Sequence, residues 1–433
     1  MPRTANKTPT KNLLQATNEM IGRSGIVGEE LNRLIMWLIY TSRKTAKPLH
    51  IISMGSSGTG KSHLQEKVGE LIPEEDKIEI TALTENAFYY FDKAALGHKL
   101  ILIEDLDGIW KALYPLRELQ SKQRISKTIT IKDKNGNTKT IHLKVNGPVC
   151  IAGCTTKESV YEDNANRCFL INLDESEAQD ERVMNYQRKI SAGKINTTDE
   201  TQAQQLLQNV QKVLQPITVI NPFAEQLQIP KEVFKQRRTN AHYLAFIEVI
   251  AFYKQYQRKW TDPDTGEIVY NPDEPTNPAL TGKAFIEVTT EDIAEANELL
   301  KEILLRKSDE LNGATRNYFE ELKAYIVKSN QSSFTGTSIR SQLRIPISSV
   351  KRYNAALLAA GLIRKVENRN TKAHYYEIIS KEEYTKLQSS IATALDEALQ
   401  KIQQPNGSTS AQIKSEPKRV RKINKLEQQP TTA

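Results

Sequence analysis

The stretch Gly55-Ser56-Ser57-Gly58-Thr59-Gly60-Lys61-Ser62 fills the pattern G-x-x-x-x-G-K-[ST] completely. It stands directly behind an apolar run, Leu49-His50-Ile51-Ile52-Ser53-Met54, and ahead of a helical pattern. Glycines at 55, 58 and 60 let the backbone turn tightly enough for several N–H groups to converge on one anion, and a helix opening near Lys61 aims its positive end at the same point. Lys61 then supplies a mobile full charge for terminal phosphates, and Ser62 a hydroxyl for Mg2+. All eight residues, Gly55 to Ser62, are therefore expected to bind a nucleoside triphosphate, ATP, with Mg2+.

Working outward, 433 residues exceed one ordinary core, so two or three domains with tails are expected. The longest apolar run, Leu34 to Tyr40, is too short to span a bilayer and is bounded by Arg33 and Arg43. The polar amino terminus lacks the apolar core of a secretory signal, which predicts a cytoplasmic protein without a membrane partner. Three cysteines, Cys150, Cys154 and Cys168, argue against a disulfide scaffold. With His142 they could form a metal cluster, but two of them lie in the apolar run from Val149 and read as core thiols. A net charge of +8 is compatible with a polyanionic partner.

Short strand patterns recur at 49–54, 77–80, 100–103, 149–154 and 168–171, with helical patterns around them. The run 100–103 is apolar throughout, as a strand buried on both faces of a parallel sheet should be. The fold class expected is α/β, a doubly wound nucleotide-binding core over 20–176 behind a flexible 1–19. A helical stretch is expected from Thr84, and a helical lid with connecting region over 177–310. Within the latter, Trp260 to Pro278 carries four prolines and reads as an exposed excursion. A capped helix is expected from Thr289, with Asp292 in the capping-box position. The segment 397–433, rich in Pro, Gln, Ser and Lys, is expected to be disordered. Its basic run Lys418 to Lys425 is either a solvated end or a nucleic-acid contact.

Hydrolysis of a bound triphosphate needs carboxylates at the end of a buried strand, one for the metal's water shell and one to align the attacking water. Ile103-Glu104-Asp105-Leu106-Asp107 offers Glu104 and Asp105 for these roles, with Asp107 a spare carboxylate for the metal. On these motifs the chain resembles AAA+ ATPases over about residues 20–310, and within them the hairpin-bearing minichromosome maintenance helicases. Leu102 to Asp107 is similar to their acidic strand end, and Leu116 to Ser126 to the helix behind it. The order Glu-Asp, where the family has Asp-Glu, makes the water-aligning carboxylate one methylene shorter. The resemblance implies that Ile26, Val27 and Gly28 line the adenine pocket. It also implies that Thr155, or Thr156 in its place, is the first sensor, that Arg167 is an arginine finger acting on a neighbour's ATP, and that Arg238 or Arg237 is the second sensor.

Alternating residues around Asn135-Gly136 predict a hairpin over about 127–145, with lysines 127, 132, 134, 139 and 144 along it. In the resembling helicases such an element points into a ring's channel, so Lys132, Lys134 and Lys139 are expected on DNA. The other reading is a solvated edge hairpin kept from aggregating by its lysines. Residues 311–380 show a winged-helix succession: helix, helix, turn at Arg344-Ile345-Pro346, helix, then two extended runs. Ser348, Ser349, Lys351, Arg352 and Asn354 would face outward, and Arg364, Lys365, Arg369 and Lys372 would charge the wing, for duplex DNA or for a docked protein.

These features together predict a homo-oligomeric ring, a hexamer by the resemblance, acting as a DNA helicase or replication-initiation ATPase with primase or initiator partners. The usual amino-terminal DNA-binding domain of the minichromosome maintenance proteins does not precede the core, as expected of a reduced relative from a bacterial mobile element or phage. Two other readings stand: an ATP-switch helicase loader or transposition regulator without unwinding, and an ATP-regulated winged-helix transcription factor.

Overall fold

The computed structural model describes residues 12–132, 136–157, 166–273, 284–309, 311, 313–366 and 374–403. Five strands, β1 (Ile51–Met54), β2 (Lys77–Ile80), β3 (Lys99–Ile103), β6 (Val149–Thr155) and β7 (Phe169–Asn172), form one parallel sheet in the order β2-β3-β6-β1-β7. Strand β6 is buried throughout and β3 nearly so, as their near-continuous apolar sequences require. Register levels the carboxyl ends: Met54 lies beside Thr155 on one side and Asn172 on the other. The hairpin β4 (Arg124–Lys132) and β5 (Thr138–Asn146) leaves the sheet between β3 and β6 and starts three residues earlier than its alternation suggested.

Helix α1 (Leu13–Arg23) occupies residues expected to be flexible, because Leu14, Thr17 and Ile21 have a surface to bury against. Its Thr17 hydroxyl pairs with the Tyr253 hydroxyl at 2.7 Å. Helix α2 (Glu30–Thr41) is buried from Arg33 onward, since it is apolar nearly all round and lies between the sheet and other helices. Helices α3 (Lys61–Gly69) and α4 (Leu113–Lys122) follow β1 and β3. The helix expected from Thr84 is a single 3-10 turn, Ala87–Tyr90, whose Phe88 is buried under the hairpin's base with Ile125 and Val145.

The lid region is not purely helical. Helices α5 (Glu177–Ser191), α6 (Thr197–Val213), α7 (Gln236–Tyr253) and α8 (Thr290–Ser308) are joined by a small sheet of β8 (Thr218–Ile220), β9 (Trp260–Thr261), β10 (Ile268–Tyr270) and β11 (Phe285–Glu287). The excursion expected at 260–278 is thus partly core: Trp260 and Tyr270 are buried, their rings 5.1 Å apart. Aromatic burial prevailed there over the local proline signal. The capping box of Thr289 and Asp292 is present, and Asp292 also pairs with Arg258 and with Lys254.

The carboxyl-terminal unit runs α9 (Gly313–Ser329), β12 (Phe334–Thr335), α10 (Gly336–Leu343), α11 (Ile347–Ala359), β13 (Ile363–Val366) and β14 (Tyr375–Ile378), its sheet ordered β12-β14-β13. It has its own core around Phe319, Leu322, Val350 and Leu357. A last helix, α12 (Glu383–Gln403), buries Ile391, Leu395 and Ala398 and reaches into the segment expected to be disordered. Residues 404–433, with the basic run 418–425, lie outside the described residues, as do 1–11. No described helix is long and apolar enough to cross a membrane.

Candidate nucleotide site

The phosphate loop lies where β1 ends. Gly55, Gly58 and Gly60 have positive φ of 151°, 88° and 86°, conformations costly for a side chain. Nothing stands within 4 Å of a Cβ built on Gly58. Gly60 caps α3, which begins at Lys61 and turns its unpaired N–H groups and positive dipole end towards the loop. The Lys61 ammonium folds onto the loop, on the Ser56 carbonyl and 3.4 Å from the Thr59 hydroxyl. These residues fit a triphosphate, and Ser62 in the first turn of α3 fits its metal.

Gln65, buried one turn further, donates to the Ile103 carbonyl at 3.0 Å, and the Cys154 thiol donates to its side-chain oxygen at 3.5 Å. It thereby fixes α3 against the ends of β3 and β6. Glu104 and Asp105 leave the end of β3 exposed. Asp105 turns back to accept the Asp107 N–H at 2.8 Å. Asp107 is not spare: it accepts the Thr155 hydroxyl at 2.9 Å and both the N–H and hydroxyl of Thr156 at 3.1 Å. Burial alone would raise its carboxyl, but these hydrogen bonds and nearby Lys157 hold it below the usual carboxylate range. Thr155 is buried at the end of β6, level with Met54.

Glu175, which carried no sequence signal, reaches the loop from behind β7, where its carboxylate accepts the Ser56 hydroxyl at 3.3 Å. A cavity of about 860 Å³ opens beside Gly55 and Ser56, walled by Glu29, Asp174, Tyr318 and Tyr353 among others. Ile26 to Gly28 does not line it. The Ile26 and Gly28 carbonyls accept Arg33, the Val27 carbonyl accepts Gln179 at 3.0 Å, and a Cβ on Gly28 would meet Gln179 at 2.1 Å. Gln179 of helix α5 thus packs against Val27 and Gly28.

Two expected residues stand away from the loop. Arg167 precedes β7, whose first residue Phe169 lies beside Ile51, the first of β1. Its Nε donates to Ser121 at 2.8 Å. A four-residue strand spans about 10 Å, so Arg167 sits beyond the amino end of β7, at the opposite end of the strands from its own loop. Arg238 is exposed in the first turn of α7, four residues ahead of His242, which stacks on Phe169 at 5.4 Å. It too belongs to the amino-end side, as does Arg237 in the same turn.

On the hairpin, cross-strand partners share a face. Ile125, Lys127, Ile129 and Ile131 line one face with Val145, Leu143, Ile141 and Lys139, while Lys132, His142 and Lys144 share the other with threonines. Lys127 is held inward by Asn86 at 2.6 Å and the Tyr89 ring. The lysines do not form one stripe, and Lys134 lies outside the described residues. On α11, Lys351 and Arg352 are exposed, but Asn354 is buried and accepts the Tyr318 hydroxyl at 2.7 Å, against the outward placement expected. Arg364 pairs with Glu377 at 2.8 Å, and Arg369 and Lys372 lie outside the described residues. All three cysteines are buried and free, and no metal-binding group occurs among the described residues.

No curated protein matches the chain. The family model described as MTBMA_p00010 P-loop domain matches residues 6–216, which take in the parallel sheet, the loop, the hairpin and helices α5 and α6. A complete phosphate loop at the carboxyl end of β1, an interior strand of the parallel sheet, agrees with that match, and this part of the chain is a P-loop NTPase domain.

Proposed function

We propose that the chain is an ATP-hydrolysing DNA motor of the AAA+ type, a helicase or replication-initiation ATPase, that works as a homo-oligomeric ring. Lys61 and the loop N–H groups hold the triphosphate, while Ser62, Glu104 and Asp105 hold Mg2+, which withdraws charge from the phosphates when bound. Thr155, fixed by Asp107, faces the terminal phosphate. Arg167 carries the reading: at the far end of the strands it is out of reach of its own loop and serves a neighbour's. Support for the DNA partner comes from the hairpin and from the helix-strand-helix-helix-strand-strand order of residues 313–378, which is that of a winged helix.

The test is turnover and strand displacement on a forked substrate. Single-stranded DNA is expected to stimulate ATP hydrolysis, and Lys61→Ala to abolish both activities. A protein that stays monomeric with ATP and DNA, and whose turnover ignores DNA, would overturn the proposal. The second reading, an ATP switch that loads or regulates without unwinding, is favoured by the cavity shared between the loop and the carboxyl-terminal unit. DNA-stimulated hydrolysis without displacement would select it.

A further inference from the structure

Ser56, second in the phosphate loop, is tied on two sides. Its carbonyl accepts the Lys61 ammonium and, at 3.1 Å, the Thr59 hydroxyl, while its own hydroxyl donates to the Glu175 carboxylate, 3.3 Å from one oxygen and 3.5 Å from the other. A Cβ built on Gly55 would meet Glu175 Oε1 at 3.1 Å, Thr59 Oγ1 at 3.2 Å and Lys61 Cδ at 3.6 Å. A carboxylate oxygen and the stem of the loop lysine thus surround one point beside Gly55. The backbone on both sides of Glu175 is held. Glu29, at φ 54° in a left-handed conformation costly for a side chain, accepts the Asp174 N–H on its carboxylate at 2.7 Å. The Asp174 carboxylate accepts the Ser176 N–H at 2.9 Å, and the Ser176 hydroxyl accepts the Gln179 N–H at 3.2 Å at the head of α5. With Asp174 and Ser176 fixed, the side chain between them is kept at the loop.

We propose that Glu175 is a specificity-determining residue of the nucleotide site, a fixed negative charge that makes the loop take the Mg2+ complex of a triphosphate in preference to the bare anion. The inference rests on the reading of the loop as a triphosphate site and adds to it a group that opposes binding. A bare triphosphate carries more negative charge than its Mg2+ complex, and repulsion from a like charge grows with that difference. Glu175 acts where it matters, since Ser56 and Lys61 are the groups a phosphate must engage. Its carboxylate is exposed, so water and salt screen it and the discrimination is on the order of tenfold rather than absolute. Glutamine in its place keeps an oxygen to accept the Ser56 hydroxyl and loses only the charge.

A charge series tests the assignment: wild type, Glu175→Gln and Glu175→Lys are titrated with a non-hydrolysable ATP analogue, once with Mg2+ and once with the metal chelated. Glu175→Gln is expected to bind the bare analogue about tenfold tighter than wild type and the Mg2+ complex about threefold tighter, with Glu175→Lys further in the same direction. Both gains should shrink as salt is raised. Glu177→Gln, which neutralises the nearby carboxylate in the first turn of α5, should change neither constant. Unchanged affinity of Glu175→Gln for the bare analogue would overturn the assignment and leave the nucleotide reading standing. Weaker binding of the Mg2+ complex by Glu175→Gln would also overturn it, making Glu175 a holder of the metal instead of a repelling charge. An equal gain from Glu177→Gln would do the same, since the effect would then belong to the general field of that edge. Failure of wild type and variants alike to bind the analogue in both conditions would remove the nucleotide reading and this inference with it.

Discussion

Asp107 spends both carboxylate oxygens on the end of β6, so in the proposed hydrolysis it would act through Thr155 and Thr156. An aspartate in that position fixes which way the Thr155 hydroxyl points, because the hydroxyl must donate to it. Removing the carboxylate frees the rotor without touching the loop that binds phosphate. Asp107→Ala is therefore expected to lower turnover by about 10- to 100-fold while nucleotide affinity stays near wild type. Steady-state hydrolysis with a nucleotide titration checks this. Unchanged turnover, or affinity collapsing in step with it, would refute the positioning role. The phosphate loop was legible in the sequence because its residues are contiguous and their glycines answer to a local backbone requirement. The Asp107 clamp was not, since it exists only after parallel pairing brings the ends of β3 and β6 together. Glu175 likewise meets Ser56 across the fold and leaves no local pattern.

At the level of elements, strand periodicity predicted the parallel sheet and the hairpin well, because a buried strand and an alternating one have different sequence signatures. It could not say which hairpin lysines act together. Alternation divides them, and Lys127 is already engaged with Asn86 and Tyr89 near the hairpin's base. A strand of DNA following the hairpin would meet the face bearing Lys132, His142 and Lys144, where threonine hydroxyls add donors. Lys132→Ala combined with Lys144→Ala should lower the slope of log affinity against log salt by about 2, whereas Lys127→Ala should leave it unchanged. Binding isotherms on single-stranded DNA at several salt concentrations decide this. An equal effect of Lys127→Ala would count against the assigned face. Elements were misread where tertiary packing overrode local composition: Trp260 and Tyr270 bury a segment that its prolines marked as exposed. Helix α12 similarly persists because α8 gives Ile391 and Leu395 a surface, with the Asn297 amide donating to the Leu395 carbonyl at 3.2 Å.

At the scale of the whole molecule, the carboxyl-terminal unit does not stand apart from the nucleotide site. Gly313, which opens α9, comes close to Asn172 at the end of β7, and Tyr318 and Tyr353 wall the cavity beside the loop. Arg316 ties the same unit back to the chain through Asp309 at 2.7 Å and Glu383 at 2.6 Å. The cavity wall is rich in carboxylates, including Glu29, Asp174, Glu175 and Glu321, and burial raises Glu29 and Glu321 above the usual carboxylate range. A triphosphate arriving at Gly55 and Ser56 brings several negative charges to that edge, and the repulsion acts on both walls at once. Binding of nucleotide should therefore loosen α9 and α11 against the core unless Mg2+ offsets the charge. Amide hydrogen exchange is the direct measurement. Exchange in 313–329 and 347–359 is expected to rise with ATP alone, to rise less with ATP and Mg2+, and to stay at the nucleotide-free level in Lys61→Ala. Exchange indifferent to nucleotide in the wild type would mean that the two units share a boundary without sharing a signal.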